Sequence, residues 1–373
     1  MLLALLHRLL VRASVRRYSP VVNTRCLLRA WIPWLALAAL ACEPAQEPEA
    51  GLITTLQLVP EALRVRPVPL SPILRELDMP GIGSARDLLH GPGERWTLLD
   101  AGDGEVRVAD PVAGLVTLGR RGEGPGELRN PSRALVWADT VAVYDRTRGR
   151  VILYSLASRK VVAELAREGF PSFHGTFAMT GTGSFVFPST EHAGHYGEVV
   201  DREGQAVPWG SRLADLPAQD GPPMSNDIVI GMGDTLIVGD NTHATLLVMD
   251  TQGRVLRALR LPEQAVRAVD AYLEEEMKAG RDLIGAYIRH AHFPVAGVLY
   301  VSLAGRPEGI FGVWVDLERG TGRLVVPSAD MAPEDKDILW SVVATAIFGR
   351  EPSVMVALTR NGLFAFELED DEG

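Results

Sequence analysis

The chain has 373 residues, of which 47% are hydrophobic and 23% charged, and its formal net charge is −10 at pH 7. This composition is typical of a folded globular protein and excludes a disordered or collagen-like chain. Residues 1–42 contain six arginines and no acidic residue, which leaves residues 43–373 with a net charge of −16. Such an acidic body excludes nucleic acid as a partner, because phosphate recognition needs a basic surface.

Residues 1–42 are predicted to form a leader. Arg25 and Arg29 precede an apolar run at residues 31–41, which is the order of the charged and hydrophobic regions of a signal peptide. The run is shorter than a membrane span, which needs roughly 20 apolar residues. The small residues before Cys42 resemble the bacterial lipoprotein signal, and this resemblance implies that Cys42 is diacylated and becomes the mature N-terminus. An ordinary secretory signal is the alternative.

The leader predicts an exported protein tethered through Cys42 to the outer membrane or to the periplasmic face of a membrane, or secreted if Cys42 is not acylated. Residues 43–50 are acidic and proline-rich and are predicted to be a flexible tether. The chain has two cysteines, and Cys26 lies within the leader. Residues 51–373 therefore cannot form an internal disulfide and are predicted to be one domain with a sizeable core.

From residue 84 onward, a unit of alternating apolar residues, an acid and a nearby glycine recurs. The acidic positions are Asp110, Asp201, Asp250 and Asp316, and a degenerate copy ends at Ser155. Each unit predicts a strand, a tight turn and a second strand, with a further strand upstream. Three or four strands about every 45 residues indicate the blades of a β-propeller. We interpret the four aspartates as turn residues whose side chains bond backbone amides, rather than as a metal-binding cluster.

The interval between Asp250 and Asp316 is longer than the others. Residues 263–290 lose the alternation of period two, and Val266, Val269 and Leu273 recur at helical spacing. A second short helix is predicted near residues 283–288. We therefore predict a helical insertion at residues 263–290 that packs on one face of the disc and is dispensable for its folding.

The predicted fold class is all-β: a six-bladed β-propeller with this short helical insertion. Residues 53–58 are predicted to pair with the last blade and close the ring, which hides the sheet edges that an open array exposes. Seven blades are the alternative, because residues 51–83 could supply more than one strand.

The segment from Gly119 to Leu128 reads Gly-Arg-Arg-Gly-Glu-Gly-Pro-Gly-Glu-Leu, and Asn130 and Pro131 follow it. It resembles the inter-blade connection of the NHL-like six-bladed propeller family. Leu128 stands at the position that is usually aromatic, and the strong motif occurs once. The segment is not interpreted as a phosphate loop, because it lacks the Gly-Lys-Ser/Thr ending and no helical pattern follows.

Polar residues on predicted loops and strand ends are the candidate ligand-binding residues. They are His174, His192, His195, Asp240, His243 and His292. The pairs His192/His195 and His290/His292 have spacings that allow joint metal binding, but neither accompanies an HExxH or cysteine framework, so no metal site is predicted. Asp240 and His243 follow an apolar strand and either point into the central channel or form an ordinary turn.

Two function classes remain open. The first, which we favour, is a monomeric binding or interaction module that holds a protein, peptide or glycan ligand and needs no cofactor. The second is a metal-dependent propeller hydrolase or lyase similar to lactonases, in which Glu, Asn and Asp side chains from separate blades would hold one divalent ion. The sequence contains no convincing trio of that kind and no Gly-x-Ser-x-Gly motif, and the fold itself hosts both classes.

Overall fold

The computed structural model describes most of the chain after residue 52. The described residues are 53–77, 84–91, 93–166, 176–188, 194–201, 203–213, 228–232, 234–241, 243–279, 288–303, 309–340, 342–348 and 353–370. The predicted leader with Cys42, the predicted tether, His174 and His192 lie outside them.

The described residues are predominantly in β-strands. The strands are β1 (Ile53–Thr55), β2 (Gln57–Leu58), β3 (Leu63–Val68), β4 (Ala85–Gly91), β5 (Arg95–Asp100), β6 (Glu105–Asp110), β7 (Gly114–Leu118), β8 (Pro131–Trp137), β9 (Thr140–Asp145), β10 (Arg150–Ser155), β11 (Val161–Ala166), β12 (Ala178–Met179), β13 (Phe185–Pro188), β14 (His195–Val200), β15 (Ala206–Ser211), β16 (Ile228–Met232), β17 (Thr235–Asp240), β18 (Thr245–Met249), β19 (Val255–Arg260), β20 (Ile288–Val295), β21 (Val298–Leu303), β22 (Gly312–Asp316), β23 (Thr321–Pro327), β24 (Val342–Phe348), β25 (Ser353–Thr359) and β26 (Gly362–Asp370). The helices are α1 (Pro72–Leu77), α2 (Glu263–Lys278) and α3 (Pro333–Trp340). In this part of the chain, no helix combines the length and the apolar character needed to cross a membrane.

Successive strands pair antiparallel in groups. Most groups are separate small sheets, whereas the last two are joined in one nine-stranded sheet because β3 lies between β23 and β26. We number the groups as blades: β4–β7 form blade 1, β8–β11 blade 2, β12–β15 blade 3, β16–β19 blade 4, β20–β23 blade 5, and β24–β26 with β3 blade 6. The first strand of blade 6, β24, lies beside both β20 of blade 5 and β4 of blade 1. The structure is therefore mostly β with a propeller-like arrangement of small sheets, which confirms the predicted fold class.

The hydrophobic core lies between neighbouring blades. Leu99 and Val106 of blade 1 pack in one buried cluster with Val141 and Ile152 of blade 2. Similar clusters join blade 3 to blade 4 and blade 4 to blade 5. Because each blade buries both faces of its sheet against its neighbours, the inner strands are held at fixed positions around the channel.

The N-terminal segment runs along the outside of three blades. We call residues 53–68, which contain β1, β2 and β3, the N-terminal belt. Strand β1 pairs in parallel with β19 of blade 4, and β2 pairs in parallel with β23 of blade 5. Strand β3 pairs antiparallel with β26, where Val65 lies opposite Leu368. The prediction that residues 53–58 pair with the last blade is therefore wrong, because β3 occupies that position.

Burial explains this choice of strand. Leu63 and Val65 are buried and pack with Phe366 and Leu368 of blade 6. Strand β1 has no buried residue. The alternating apolar side chains of β3 thus fill core positions that the side chains of β1 do not fill.

The helical insertion begins where predicted but belongs to the core. Helix α2 confirms a helix in the interval 263–290, whereas residues 280–287 lie outside the described part and Ile288 already starts β20. The predicted second helix therefore cannot include residue 288. Ala265, Ala268 and Val269 of α2 are buried in one cluster with Leu246 of blade 4. The helix therefore packs in the cluster that blades 4 and 5 share, and its dispensability for folding stays a prediction. Helices α1 and α3 were not predicted.

The repeated aspartates form the turns that the sequence predicts. The Oδ1 atom of Asp110 accepts hydrogen bonds of 2.8 Å from the amides of both Val112 and Ala113. The side chains of three further aspartates accept two backbone amides each in the same way: Asp201, Asp250 and Asp316. The interpretation as turn residues is confirmed.

The segment from Gly119 to Leu128 is held together by its own carboxylate. Glu127 accepts a 2.7 Å hydrogen bond from the amide of Gly124 and pairs with the Arg120 guanidinium at 2.6 Å. A Cβ atom at Gly122 would lie 2.0 Å from Oε2 of Glu127, so a larger residue there would displace this carboxylate. Leu128 is fully buried in the cluster between blades 1 and 2. The motif thus serves as an inter-blade connection.

Candidate functional site in the central channel

The innermost strands of four blades share one irregularity. Their register shifts between the first and the third residue, so that a bulge precedes Asp87 in β4, Arg133 in β8, His290 in β20 and Ala344 in β24. A β-bulge re-aims side chains relative to the regular pleat and is frequent beside functional sites. Asp87, Arg133 and His290 therefore hold equivalent positions in blades 1, 2 and 5.

These three side chains meet in the channel. The Nη1 atom of Arg133 donates to Oδ1 of Asp87 at 2.9 Å. The Nη2 atom of Arg133 lies 3.1 Å from Nδ1 of His290, which is 157 positions away in the sequence. The guanidinium of blade 2 thus links a side chain of blade 1 to a side chain of blade 5.

The Asp87 carboxylate is fixed in place by hydrogen bonds and binds Arg133. Its carboxylate also accepts the amides of Leu88 and Ala134, both at 3.1 Å. Burial raises the pKa of the Asp87 carboxyl, while the Arg133 charge and these hydrogen bonds oppose the rise. With three donors directed at it, the Asp87 side chain orients the guanidinium.

The contact with Arg133 assigns the tautomer of His290. A guanidinium donates hydrogen bonds but cannot accept them, so Nδ1 of His290 must be the acceptor. A neutral His290 then carries its proton on Nε2. This ring nitrogen is a hydrogen-bond donor and not a base.

A cavity of about 60 Å³ lies beside the cluster. Among the described residues, its charged and polar lining consists of Asp87, Arg133, Thr176, His290 and His292, and the remaining lining is apolar. The apolar side chains include Leu89, Leu135, Phe177 and Ile230. The volume is sufficient for a few water molecules or for one compact group of a ligand.

The structure also defines the hydrogen bonding of Thr176 and the protonation of His292 in this lining. The hydroxyl of Thr176 accepts the amide of Val229 at 2.6 Å. Burial lowers the pKa of His292 to about 3, and the nearby His90 adds to the shift. The imidazole of His292 is therefore neutral at neutral pH, and its ring lies 5.4 Å from that of Tyr300.

The predicted site residues fall into two places. Of the four that are described, His292 lines the cavity, whereas His195, Asp240 and His243 are not in its described lining. Asp240 accepts the backbone amide of His243 at 3.2 Å and lies 2.9 Å from its ring Nδ1. His195 begins β14 opposite Ser211.

Asp240 occupies a position that recurs in other blades. It ends the second strand of blade 4, as Asp100 ends that of blade 1 and Asp145 that of blade 2. Asp145 accepts the amides of Arg129 and Asn130 at 2.9 and 3.1 Å. All three aspartates are fully buried. Equivalent hydrogen-bonded aspartates in separate blades are typical of a structural role.

Sequence reasoning missed Asp87, Arg133 and Thr176, and it noted His290 only as half of a metal-binding pair. The sequence did hold one signal for this cluster: a charged residue, Asp87 or Arg133, stands at the third position of the otherwise mainly apolar first strand of blades 1 and 2. Among the described residues, no group of three or more His, Cys, Asp or Glu side chains is placed to hold a metal ion.

The fold resembles solved propeller-like structures. A protein from Bacteroides fragilis NCTC 9343 described as exported has a TM-score of 0.51 and 12% identity, over 86% of this chain and all of that one. A streptogramin B lyase has a TM-score of 0.47 and 9% identity over 83% and 98%, and the virginiamycin B lyase of Staphylococcus aureus 0.47 and 8% over 82% and 99%. No protein-family model and no curated protein sequence matches the chain.

The similarity of the first of these structures supports the fold alone. The chain is thus defined as a propeller-like β protein with a polar cluster between its inner strands.

Proposed function

We propose that this chain is an exported lipoprotein whose propeller binds a ligand in the central channel. The observation that carries the proposal is the cavity to which the innermost strands of blades 1, 2, 4 and 5 contribute side chains, including the bridging Arg133. A ligand there would contact several blades at once, and it would be a small molecule, or a group of a peptide, glycan or protein that reaches the channel.

The state of the cavity side chains favours binding over acid–base catalysis. Nδ1 of His290 accepts from Arg133, and the Asp87 carboxylate already accepts three hydrogen bonds. A general base needs a lone pair directed at the proton that it removes. Nδ1 of His290 directs its lone pair at Arg133, and three of the roughly four acceptor sites of the Asp87 carboxylate are occupied. The low pKa of His292 makes its imidazole a weak base.

The binding experiment uses the full-length protein isolated from cell envelopes. Ligands released by denaturation are identified by mass spectrometry for the wild type, for Ile230→Trp and for Leu256→Trp. Ile230 lines the cavity, whereas Leu256 is an apolar residue of β19 with an exposed fraction of 57%.

A compound present in the wild type and in Leu256→Trp, but absent from Ile230→Trp, supports the proposal. The absence of any compound, or one retained equally by all three proteins, contradicts it. Conversion of the compound by the protein would favour the hydrolase or lyase alternative.

The proposed cellular location rests on Cys42 and the residues before it, and it is tested separately. Cys42→Ser removes the acylation site, and we expect the variant to leave the membrane fraction and appear in the periplasm or the medium. A variant that stays in the membrane fraction as the wild type does would contradict the lipoprotein proposal.

A further inference from the structure

Arg133 has unused hydrogen-bonding capacity beside an apolar cavity. A guanidinium carries five N–H donors. Among the described residues, Arg133 donates one to Asp87 and one to His290. Its side chain has an exposed fraction of 15%, against 5% for Asp87, so the remaining donors can reach a molecule in the cavity. Arginine binds planar oxyanions through parallel N–H bonds, which makes it suited to a carboxylate.

We propose that this cavity binds the carboxylate group of an organic ligand, with Arg133 as the anchoring cation and the apolar lining around the adjoining hydrocarbon. This inference rests on the proposed binding function and names the chemical class of its ligand.

The hydrogen bonds around Asp87 allow Arg133 to take a second carboxylate. The Asp87 oxygens accept two backbone amides in addition to Arg133, and hydrogen bonds of this kind disperse carboxylate charge. The hydroxyl of Thr176 accepts from Val229, which leaves its own proton for an acceptor in the cavity. Arg133 and Thr176 therefore both offer donors to a ligand in the cavity.

The lining and the volume favour a carboxylate over phosphate. Leu89, Leu135, Phe177 and Ile230 provide hydrocarbon walls, and the cavity measures about 60 Å³. A dianionic phosphate beside a single arginine that Asp87 already pairs would leave buried negative charge without compensation. A carboxylate adds one negative charge instead of two, so the cost that remains is smaller, and its short apolar neighbour fits the hydrocarbon walls.

The test measures thermal unfolding of the full-length protein with increasing sodium butyrate, with butyramide as the uncharged analogue and sodium chloride to match ionic strength. A ligand that binds the folded state raises the unfolding midpoint in a concentration-dependent way. We expect saturable stabilisation by butyrate and none by butyramide.

Variants locate the effect. Arg133→Met leaves Asp87 buried without its partner and can fail to fold, so the double variant Asp87→Leu/Arg133→Met, which removes both charges, is measured beside it. The matched control is Arg95→Met, because Arg95 of β5 pairs with Asp110 of β6 at 2.6 Å and is not in the described lining of the cavity. We expect the double variant to bind butyrate about tenfold more weakly or worse. Arg95→Met should bind it as the wild type does.

Two further probes separate the sources of a carboxylate. A tripeptide with a free C-terminus is compared with the same peptide amidated at that end. Stabilisation by butyrate alone assigns the cavity to small carboxylic acids, and stabilisation by the free but not the amidated peptide assigns it to chain termini. Either result supports the inference.

Three results would overturn it: equal stabilisation by butyrate and butyramide, unchanged butyrate affinity in the double variant, or no stabilisation by any carboxylate. If the envelope experiment still releases a ligand that depends on the cavity, the proposed binding function stands while the assignment to carboxylates fails.

Discussion

At the scale of single residues, the buried Asp87 and the half-buried Arg133 are two charges that stabilise the fold only together. Each would be costly alone in a cavity whose walls are mainly apolar. A sequence pattern cannot show this dependence, because the partners are 46 positions apart and stand in different blades. The repeated aspartates at the turns were predictable, since their partners lie within four residues.

The first prediction concerns the stability of this ion pair. Arg133→Met should lower the free energy of unfolding by about 3–5 kcal/mol, because it leaves the Asp87 carboxylate buried without its partner. Asp87→Leu/Arg133→Met should recover part of that loss, because it removes the unpaired charge but leaves the amides of Leu88 and Ala134 without their acceptor. Urea unfolding monitored by circular dichroism measures both, and Arg95→Met should cost about 1 kcal/mol or less because its pair is more exposed. Equal costs for Arg133→Met and Arg95→Met would contradict the prediction.

The second prediction concerns acid stability through His292. Its folded pKa is about 3, whereas an unfolded histidine has a pKa of about 6.5. Between these values the unfolded chain binds the proton and the folded chain does not, so stability should fall as the pH drops from 6.5 towards 3. His292→Phe keeps an aromatic ring against Tyr300 and removes this titration.

Urea unfolding of the wild type and His292→Phe at several pH values provides the measurement. The free energy of unfolding of the wild type, relative to that of His292→Phe, should fall steadily below pH 6.5 and stay constant between pH 7 and 8. A difference that does not change with pH would show that His292 titrates equally in both states.

At the scale of elements, the sequence predicts the strands well and the helices less well. Period-two alternation recurs in every blade, so the strands were found from apolar residues alone. The amphipathic pattern of α2 also identified a helix, but it could not show what the apolar face contacts. Ala265, Ala268 and Val269 turn out to pack against blade 4, so the insertion is part of the core. The six and eight residues of α1 and α3 are too few for a clear helical period.

The third prediction tests whether α2 belongs to the core. Ala268→Asp places a carboxylate where the exposed fraction is 3%, and it should lower the free energy of unfolding by several kcal/mol. Ala271→Asp is the same substitution on an exposed position of the same helix and should be nearly neutral. Thermal unfolding compares the two. If both variants unfold at the same midpoint, the helix is a dispensable insertion after all.

At the scale of the whole molecule, the N-terminal belt covers the outer sheet edges of some blades and leaves those of other blades uncovered. Strands β1, β2 and β3 cover the outer edges of blades 4, 5 and 6, whereas β7, β11 and β15 end their sheets within the described residues. Covering an edge removes a template for pairing with other chains. The sequence pattern could not show whether residues 53–58 or residues 63–68 pair with the last blade, because apolar residues alternate in both segments. The contacts of residues 63–68 with Phe366 and Leu368 determine which segment pairs.

The fourth prediction tests this closure by a disulfide. Arg66 on β3 lies directly opposite Glu367 on β26, and both positions are at least partly exposed. Opposed residues of an antiparallel pair have Cβ atoms close enough for a disulfide, whereas diagonal neighbours two residues away do not. Arg66→Cys/Glu367→Cys should therefore oxidise readily, and Arg66→Cys/Glu369→Cys should not. Peptide mapping by mass spectrometry identifies the bonded cysteines.

The disulfide should also stabilise the protein, because it joins residues 301 positions apart and thereby restricts the unfolded chain. We expect the oxidised Arg66→Cys/Glu367→Cys variant to unfold with about 2–4 kcal/mol more free energy than the same variant after reduction. The loss of the exposed ion pair between Arg66 and Glu367 affects both forms equally and cancels in this comparison. If the diagonal pair oxidises in preference to the opposed pair, β3 pairs with β26 in another register. If neither pair oxidises, β3 does not close blade 6 in the way that the structure shows.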